Sequence, residues 1–223
     1  MNIEFTLIFT LLFSSSTLFL LLNLKTALKF SIFIMIAALF VNTDTLFKAF
    51  ISGFSYMQSD VFSYMLSLIM SEIILIVVST SIIFSDNYFN FSDMARGRIY
   101  FGLIPILSAT LIGLSICDNI ILMLFFLEAS TFLSAILVLY GERKDRAVFS
   151  TMVYLVMSII ESILVLSGLY FLTRGYGLQL ALTDIHELSK YTTISKYDVE
   201  LASYFILLGF GIKAGASPIA LLW

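Results

Sequence analysis

Four ionisable residues interrupt long apolar stretches of the sequence: Glu72, Glu128, Glu161 and Lys213. A charged side chain near the centre of a bilayer costs about 2.5 to 3.5 kcal/mol on insertion scales, so four are expensive unless they face one another, water or a partner protein. One lysine cannot neutralise three carboxylates. From these residues alone, two hypotheses stay open: a structural ion pair, or a set of groups that exchange protons.

The composition shows what kind of element carries these residues. Of the 223 residues, 60% are hydrophobic and only 12% are charged, and the mean hydropathy is +1.04. Soluble domains carry roughly a quarter charged residues. The apolar runs are continuous rather than alternating, which disfavours a β-barrel and favours membrane-spanning helices. The sequence therefore predicts an all-α integral membrane protein.

Seven apolar segments have the length of a membrane helix. They cover residues 5–22, 28–47, 62–84, 99–117, 119–140, 147–173 and 201–223. The second is the weakest, because Asn42, Asp44 and Lys48 interrupt it, and residues 46–57 are an alternative helix along the membrane interface. A minimal turn at 118–119 predicts a tight antiparallel hairpin of the fourth and fifth helices. We assign helices 1 and 2 to residues 1–60, and helices 3 to 7 to residues 61–223.

Each of the four ionisable residues falls within about two residues, or roughly 3 Å, of the midpoint of its helix. We therefore expect all four at one level of the membrane. The seventh helix has further features around its lysine: Gly209, Gly211, Gly215 and Pro218. Since proline lacks an amide proton and crowds the preceding turn, the sequence predicts a helix break just beyond Lys213.

The distribution of basic residues predicts the orientation. The first, third and fifth loops hold seven lysines and arginines, and the second, fourth and sixth loops hold four. The N-terminus is therefore expected outside the cell or in the intermembrane space. It has no basic leader segment, so we expect the first helix to be retained rather than removed as a signal peptide.

Several kinds of site are disfavoured by the residue counts. Cys117 is the single cysteine and His186 the single histidine. One cysteine forms no internal disulfide, and a haem, a metal centre or a catalytic triad would need groups from another chain. The net charge of −3 says little, because most charged groups lie in loops, and no nucleic-acid footprint is visible in the sequence. We expect no cofactor and no metal in this chain.

Three segments in order carry a resemblance to a known family. They read LFFLEASTFLSAILVLYG from residue 124, VYLVMS from residue 153, and GFGIKAGASPIALLW from residue 209. Together they resemble the antiporter-like proton-pumping subunits of respiratory complex I, in particular the NADH dehydrogenase subunit 2 type, and their Mrp-type antiporter relatives. The resemblance extends over residues 60–223 and corresponds to the N-terminal half of such a subunit.

The resemblance implies a role in proton translocation coupled to quinone reduction, as a non-redox subunit of NADH:ubiquinone oxidoreductase. It pairs Glu128 on the fifth helix with Lys213 on a broken seventh helix. Glu161 and Glu72 are further candidates for proton translocation from their position in the membrane. The resemblance places FMN, iron–sulfur clusters and quinone on other subunits.

The sequence departs from the family pattern at three places. Val153 precedes Tyr154 where a lysine is usual, and Glu161 is not a family position. Residues 219–221 read Ile-Ala-Leu, where a histidine tends to occur after Pro218. These departures support one alternative function, a structural membrane-arm scaffold with vestigial pumping residues. A subunit of an Mrp-type antiporter or of a membrane-bound hydrogenase is another alternative.

Family members contain two inverted halves, and this chain corresponds to the first. We therefore expect it to be a fragment or to have a separate partner chain that supplies the second half. Other membrane-arm subunits and lipids are further expected partners, and nucleic acid is not. The expected location is the mitochondrial inner membrane, with a bacterial or archaeal plasma membrane as the alternative.

Overall fold

Seven helices form the secondary structure of the residues that the structure, a computed structural model, describes. These residues are 3–53, 59–88, 94–117, 119–141, 144–173 and 195–214. In chain order the helices are α1 (Ile3–Leu21), α2 (Leu24–Gly53), α3 (Ser59–Tyr88), α4 (Met94–Ile116), α5 (Ile120–Gly141), α6 (Lys144–Thr173) and α7 (Lys196–Lys213).

Five of the helices are long and apolar enough to cross a membrane, which confirms an all-α membrane protein. The five segments are Thr26–Lys48, Met65–Phe84, Gly97–Ile116, Ile120–Tyr140 and Val148–Leu172. Seven spans were expected. The apolar segment Leu7–Thr17 of α1 is shorter, and α7 carries four charged residues within its 18. The last part of the seventh expected span, residues 215–223, lies outside the described residues.

The exposed side chains of the helices suit a lipid bilayer rather than water. Phe33, Phe40 and Phe84 are each at least 69% exposed, whereas Ser31 and Ser71 are fully buried. In a bilayer, lipid tails solvate large apolar side chains, and small residues allow helices to approach closely. The exposed aromatic side chains give the helices an apolar outer surface.

Helix α2 does not divide at its polar residues, so the alternative of a separate interfacial helix over 46–57 is not observed up to Gly53, where the described part of this segment ends. The reason is that Asn42 is fully buried and its Nδ2 donates to the carbonyl oxygen of Leu68, 3.1 Å away on α3. Asp44 and Lys48 form an exposed ion pair one turn apart. These contacts hold the polar residues without a helix break, although Asn42 Oδ1 has no partner among the described residues.

Two compact units account for the packing. Unit 1 contains residues 1–116 and 136–141, and unit 2 contains residues 117–135 and 142–223. In unit 1, hydroxyl groups connect the helices: Ser16 donates to the Gly102 carbonyl on α4, and Ser67 donates to the Ser115 carbonyl, both at 2.7 Å. Helices α1 to α4 pack around an apolar core in this unit.

Unit 2 contains most of α5 together with α6 and α7. Asn119 caps α5, because its Oδ1 accepts from the amides of Ile121 and Leu122 at 2.9 and 3.3 Å. The turn predicted at 118–119 thus agrees with helix ends at residues 116 and 120, although Asp118 lies outside the described residues. The antiparallel pairing of α4 with α5 stays a prediction.

Candidate functional site

Two glycines bring α6 and α7 into close contact within unit 2. A Cβ added to Gly168 would lie 2.6 Å from Ile206 Cγ1 and 2.9 Å from the carbonyl oxygen of Ala202. A Cβ added to Gly209 would lie 2.5 Å from Val165 Cγ2. Small residues at such positions permit backbones to approach closely in membranes. This contact fixes which residues of α6 meet the end of α7.

Lys213 is the last residue of α7 and lies one turn beyond Gly209 on the same face. Its Nζ is 3.3 Å from Glu161 Oε2 on α6, and it also donates a hydrogen bond to Thr131 Oγ1 on α5. The lysine side chain is 25% exposed and the glutamate side chain 1%. Lys213 therefore joins the three described helices of unit 2.

Glu128 has a neutral partner. Its Oε1 accepts a hydrogen bond from Ser162 Oγ on α6. The same hydroxyl lies 2.8 Å from the carbonyl oxygen of Ser158, a second acceptor one turn back along α6. Since a hydroxyl carries one proton, Ser162 is shared between a carboxylate and its own helix.

Glu161 is the most deeply buried of the described acids of this unit, and its second carboxylate oxygen is not satisfied. Its Oε1 is buried without a hydrogen-bond partner among the described residues, and so is the Ser158 hydroxyl three residues earlier on the same helix. Buried polar groups in proteins are nearly always hydrogen-bonded. These two oxygens therefore keep unused hydrogen-bonding capacity on α6.

The ion pair differs from the one that the resemblance implied. Glu128 and Lys213 were expected to pair, but among the described acids it is Glu161 that forms the ion pair with Lys213. Glu128 nevertheless lies on the same helix as the other lysine partner, because Thr131 follows it by three residues, about one turn. The structure thus brings together three of the four predicted ionisable residues within unit 2.

Glu72 belongs to unit 1 and has a different environment. Its Oε2 accepts a hydrogen bond of 2.7 Å from Asn42 Nδ2, and Asn42 Oδ1 is buried with no partner among the described residues. The side-chain amide of Asn42 also donates to the Leu68 carbonyl oxygen, so its nitrogen makes two hydrogen bonds. The prediction that Glu72 shares a membrane level with Glu128, Glu161 and Lys213 stays a prediction.

The predicted helix break is partly outside the described residues. Helix α7 continues through Gly209 and Gly211 and ends at Lys213, so these two glycines do not interrupt it. Gly215, Pro218 and residues 219–221 lie outside the described part of the chain. Pro105 lies inside α4 without ending it, with the Ser108 hydroxyl donating to its carbonyl oxygen at 2.7 Å.

Sequence reasoning missed Ser162 as the partner of Glu128. The sequence signal is its position directly after Glu161, which puts the two side chains about 100° apart around the helix. Val153, where the family pattern has a lysine, is half-buried, and Tyr154 is 40% exposed. Helix α6 thus contacts Glu128 through the neutral hydroxyl of Ser162.

The arrangement can transfer protons. When fully ionised, Glu128, Glu161 and Lys213 together carry a net charge of −1, which is unfavourable in a low-dielectric environment. The hydroxyl groups of Thr131 and Ser162 contact Lys213 and Glu128, and a hydroxyl can both donate and accept a hydrogen bond. Within the described residues, no three His, Cys, Asp or Glu side chains cluster as metal ligands would.

Comparison with known proteins gives one match. No curated protein and no solved structure matches the chain. A family model described as "NADH:quinone oxidoreductase/Mrp antiporter, TM" matches residues 117–223, which include α5, α6 and α7. This similarity supports an antiporter-like membrane domain in the part of the chain that holds Glu128, Glu161 and Lys213.

Proposed function

We propose that this chain is a proton-translocating subunit of the membrane arm of a NADH:ubiquinone oxidoreductase, of the NADH dehydrogenase subunit 2 type. The observation that carries the proposal is the group of ionisable residues in unit 2. Lys213 is paired with Glu161 at 3.3 Å and contacts Thr131, while Glu128 is hydrogen-bonded to Ser162. These residues lie within the range that the family model matches.

The geometry supports proton transfer over a purely structural ion pair. A structural pair needs one acid and one base, but unit 2 contains a second acid whose partner is a neutral hydroxyl. Ionisable groups inside membrane proteins commonly form proton relays. Glu128 and Lys213 are the proposed proton-carrying groups, and Glu161 is adjacent to the lysine. Glu72 is proposed with less support, since its described partner is an amide.

Such a subunit carries no redox centre in this proposal. Electron transfer from NADH to quinone would take place on partner subunits that hold FMN, iron–sulfur clusters and the quinone. This chain would contribute a proton path in the membrane arm, together with a separate chain or segment equivalent to the second half. The proposed location is the mitochondrial inner membrane, with a bacterial or archaeal plasma membrane as the alternative.

A second function has a specific observation in its favour. The description of the matching family model names Mrp antiporters beside NADH:quinone oxidoreductase. An Mrp-type cation/proton antiporter would use the same buried acids and lysine without NADH. It therefore differs from the first function in its energy source rather than in the residues of unit 2.

The test is a transport measurement on the purified assembly in liposomes. We expect NADH oxidation by quinone to drive proton movement, and Glu128→Gln to lower the number of protons moved per NADH, because a glutamine side chain neither binds nor releases a proton near neutral pH. Glu200→Gln is the matched control, because Glu200 is an exposed acid of α7 in a weak 3.9 Å pair with Lys196. It should leave the ratio unchanged.

Each of the other outcomes assigns a different function. An unchanged proton ratio in an intact Glu128→Gln assembly would show that the chain is a scaffold. Proton movement that requires a sodium or potassium gradient and not NADH would show an antiporter.

A further inference from the structure

Neighbouring residues of α6 face two different helices of unit 2. Glu161 contacts Lys213 on α7, and Ser162 donates to Glu128 on α5. Consecutive residues of an α-helix point about 100° apart, so adjacent positions can serve two neighbouring helices. Helix α6 therefore has one contact for the ammonium and another for the second carboxylate.

On the α5 side, Lys213 contacts the hydroxyl group of Thr131. The Thr131 hydroxyl is 2.9 Å from the carbonyl oxygen of Leu127 and donates to it, so a lone pair faces the Lys213 ammonium. Lys213 thus reaches the helix that carries Glu128 but contacts a neutral oxygen there. The ammonium contacts Glu161 and Thr131, whereas Glu128 accepts from Ser162.

We propose that Glu161 and Ser162 are positioning residues that decide which carboxylate pairs with Lys213. Glu161 holds the lysine, and the Ser162 hydroxyl holds Glu128 apart from it. The consequence for transport rests on the proposed function: Lys213 and Glu128 can exchange a proton directly only after both contacts to α6 open. The pairing itself is independent of what the assembly transports.

A double-mutant cycle measures the pairing without reference to transport. The full chain is purified in detergent, and the half-life of thermal unfolding is measured for Glu161→Gln, Lys213→Met and the double variant. Breaking a buried ion pair from one side leaves an uncompensated charge, whereas removing both charges does not. We expect each single variant to shorten the half-life about tenfold or more and the double variant to restore most of it.

A second, matched cycle combines Glu128→Gln with the same lysine variant, Lys213→Met. We expect the effects of Glu128→Gln and Lys213→Met to combine additively, because Ser162 and not Lys213 is the partner of Glu128. The proposal would be overturned if the double variant recovered its half-life in the Glu128 cycle while the effects were additive in the Glu161 cycle. Equal recovery of the half-life in both cycles would overturn it as well.

The role of Ser162 is tested by repeating the Glu128 cycle in three backgrounds. In the Ser162→Ala background we expect Glu128 and Lys213 to become coupled, so that the Glu128→Gln/Lys213→Met double variant recovers most of the unfolding half-life. Ser162→Thr keeps the hydroxyl and should abolish the coupling again. Ser167→Ala is the control, since Ser167 also donates to the carbonyl four residues back, at 2.7 Å to Ile163. Additivity in all backgrounds would refute the role of Ser162.

The two proposals fail in separable ways. If Glu161 couples to Lys213 but Glu128→Gln leaves proton translocation intact, the pairing stands and the transport function is wrong. If Glu128→Gln abolishes translocation and Glu161 shows no coupling to Lys213, the transport function stands and this inference is wrong.

Discussion

Each unit has an acid that contacts a neighbouring helix, and the two acids have different partner groups. In unit 1, Glu72 accepts from the side-chain amide of Asn42, which also donates to a backbone carbonyl on α3. In unit 2, Glu161 faces an ammonium, and a second acid faces a hydroxyl. An amide has fixed donors, whereas ammonium, hydroxyl and carboxylate can all exchange protons. The comparison separates a contact suited to holding helices together from one suited to transport.

The largest difference between the units should follow from removing their donors. Lys213→Met leaves Glu161 buried without a counter-ion, and we expect it to destabilise unit 2 by about 3 to 5 kcal/mol. Asn42→Leu removes two hydrogen bonds in unit 1, one to a backbone carbonyl and one to a carboxyl group, and should cost about 1 to 3 kcal/mol. Hydrogen exchange of the amides of α6 and α7, compared with those of α2 and α3, measures both effects. A larger loss of stability in Asn42→Leu than in Lys213→Met would contradict this distinction between the two units.

These sites show how much of the molecule could be predicted from sequence. Apolar runs located the helices because their length matches the bilayer thickness. The same runs could not show that Asn42 continues α2, since the carbonyl that satisfies it belongs to Leu68, 26 residues away. The burial of Glu161 followed from its depth, but its partner depends on how α6 and α7 are rotated against each other.

A smaller effect should come from the contact that sets this rotation. Gly168→Ala places a methyl group 2.9 Å from the Ala202 carbonyl oxygen, and the backbone cannot move aside as a flexible side chain can. We expect a cost of about 1 to 3 kcal/mol from overpacking. Thermal unfolding of the purified chain measures it.

Ser203→Thr is the control for Gly168→Ala, because it adds a methyl group at an exposed position of α7. Its expected effect is within about 0.5 kcal/mol. Equal costs for the two variants would show that α6 and α7 do not need the glycine. Unit 1 shows no described glycine of this kind, and its helices are joined through serine hydroxyls such as Ser16.

The smallest effect is expected at Glu72, where the comparison of the two acids is sharpest. Glu72→Gln keeps a carbonyl oxygen that can accept the Asn42 hydrogen bond, so the free energy of unfolding should change by about 1 kcal/mol or less. Glu161→Gln keeps the same shape but removes the counter-ion of Lys213, and should cost clearly more. Thermal unfolding of both variants under the same conditions decides the matter. Because both substitutions are isosteric, a similar loss in the two would mean that the charge of Glu161 does not contribute to the contact with Lys213.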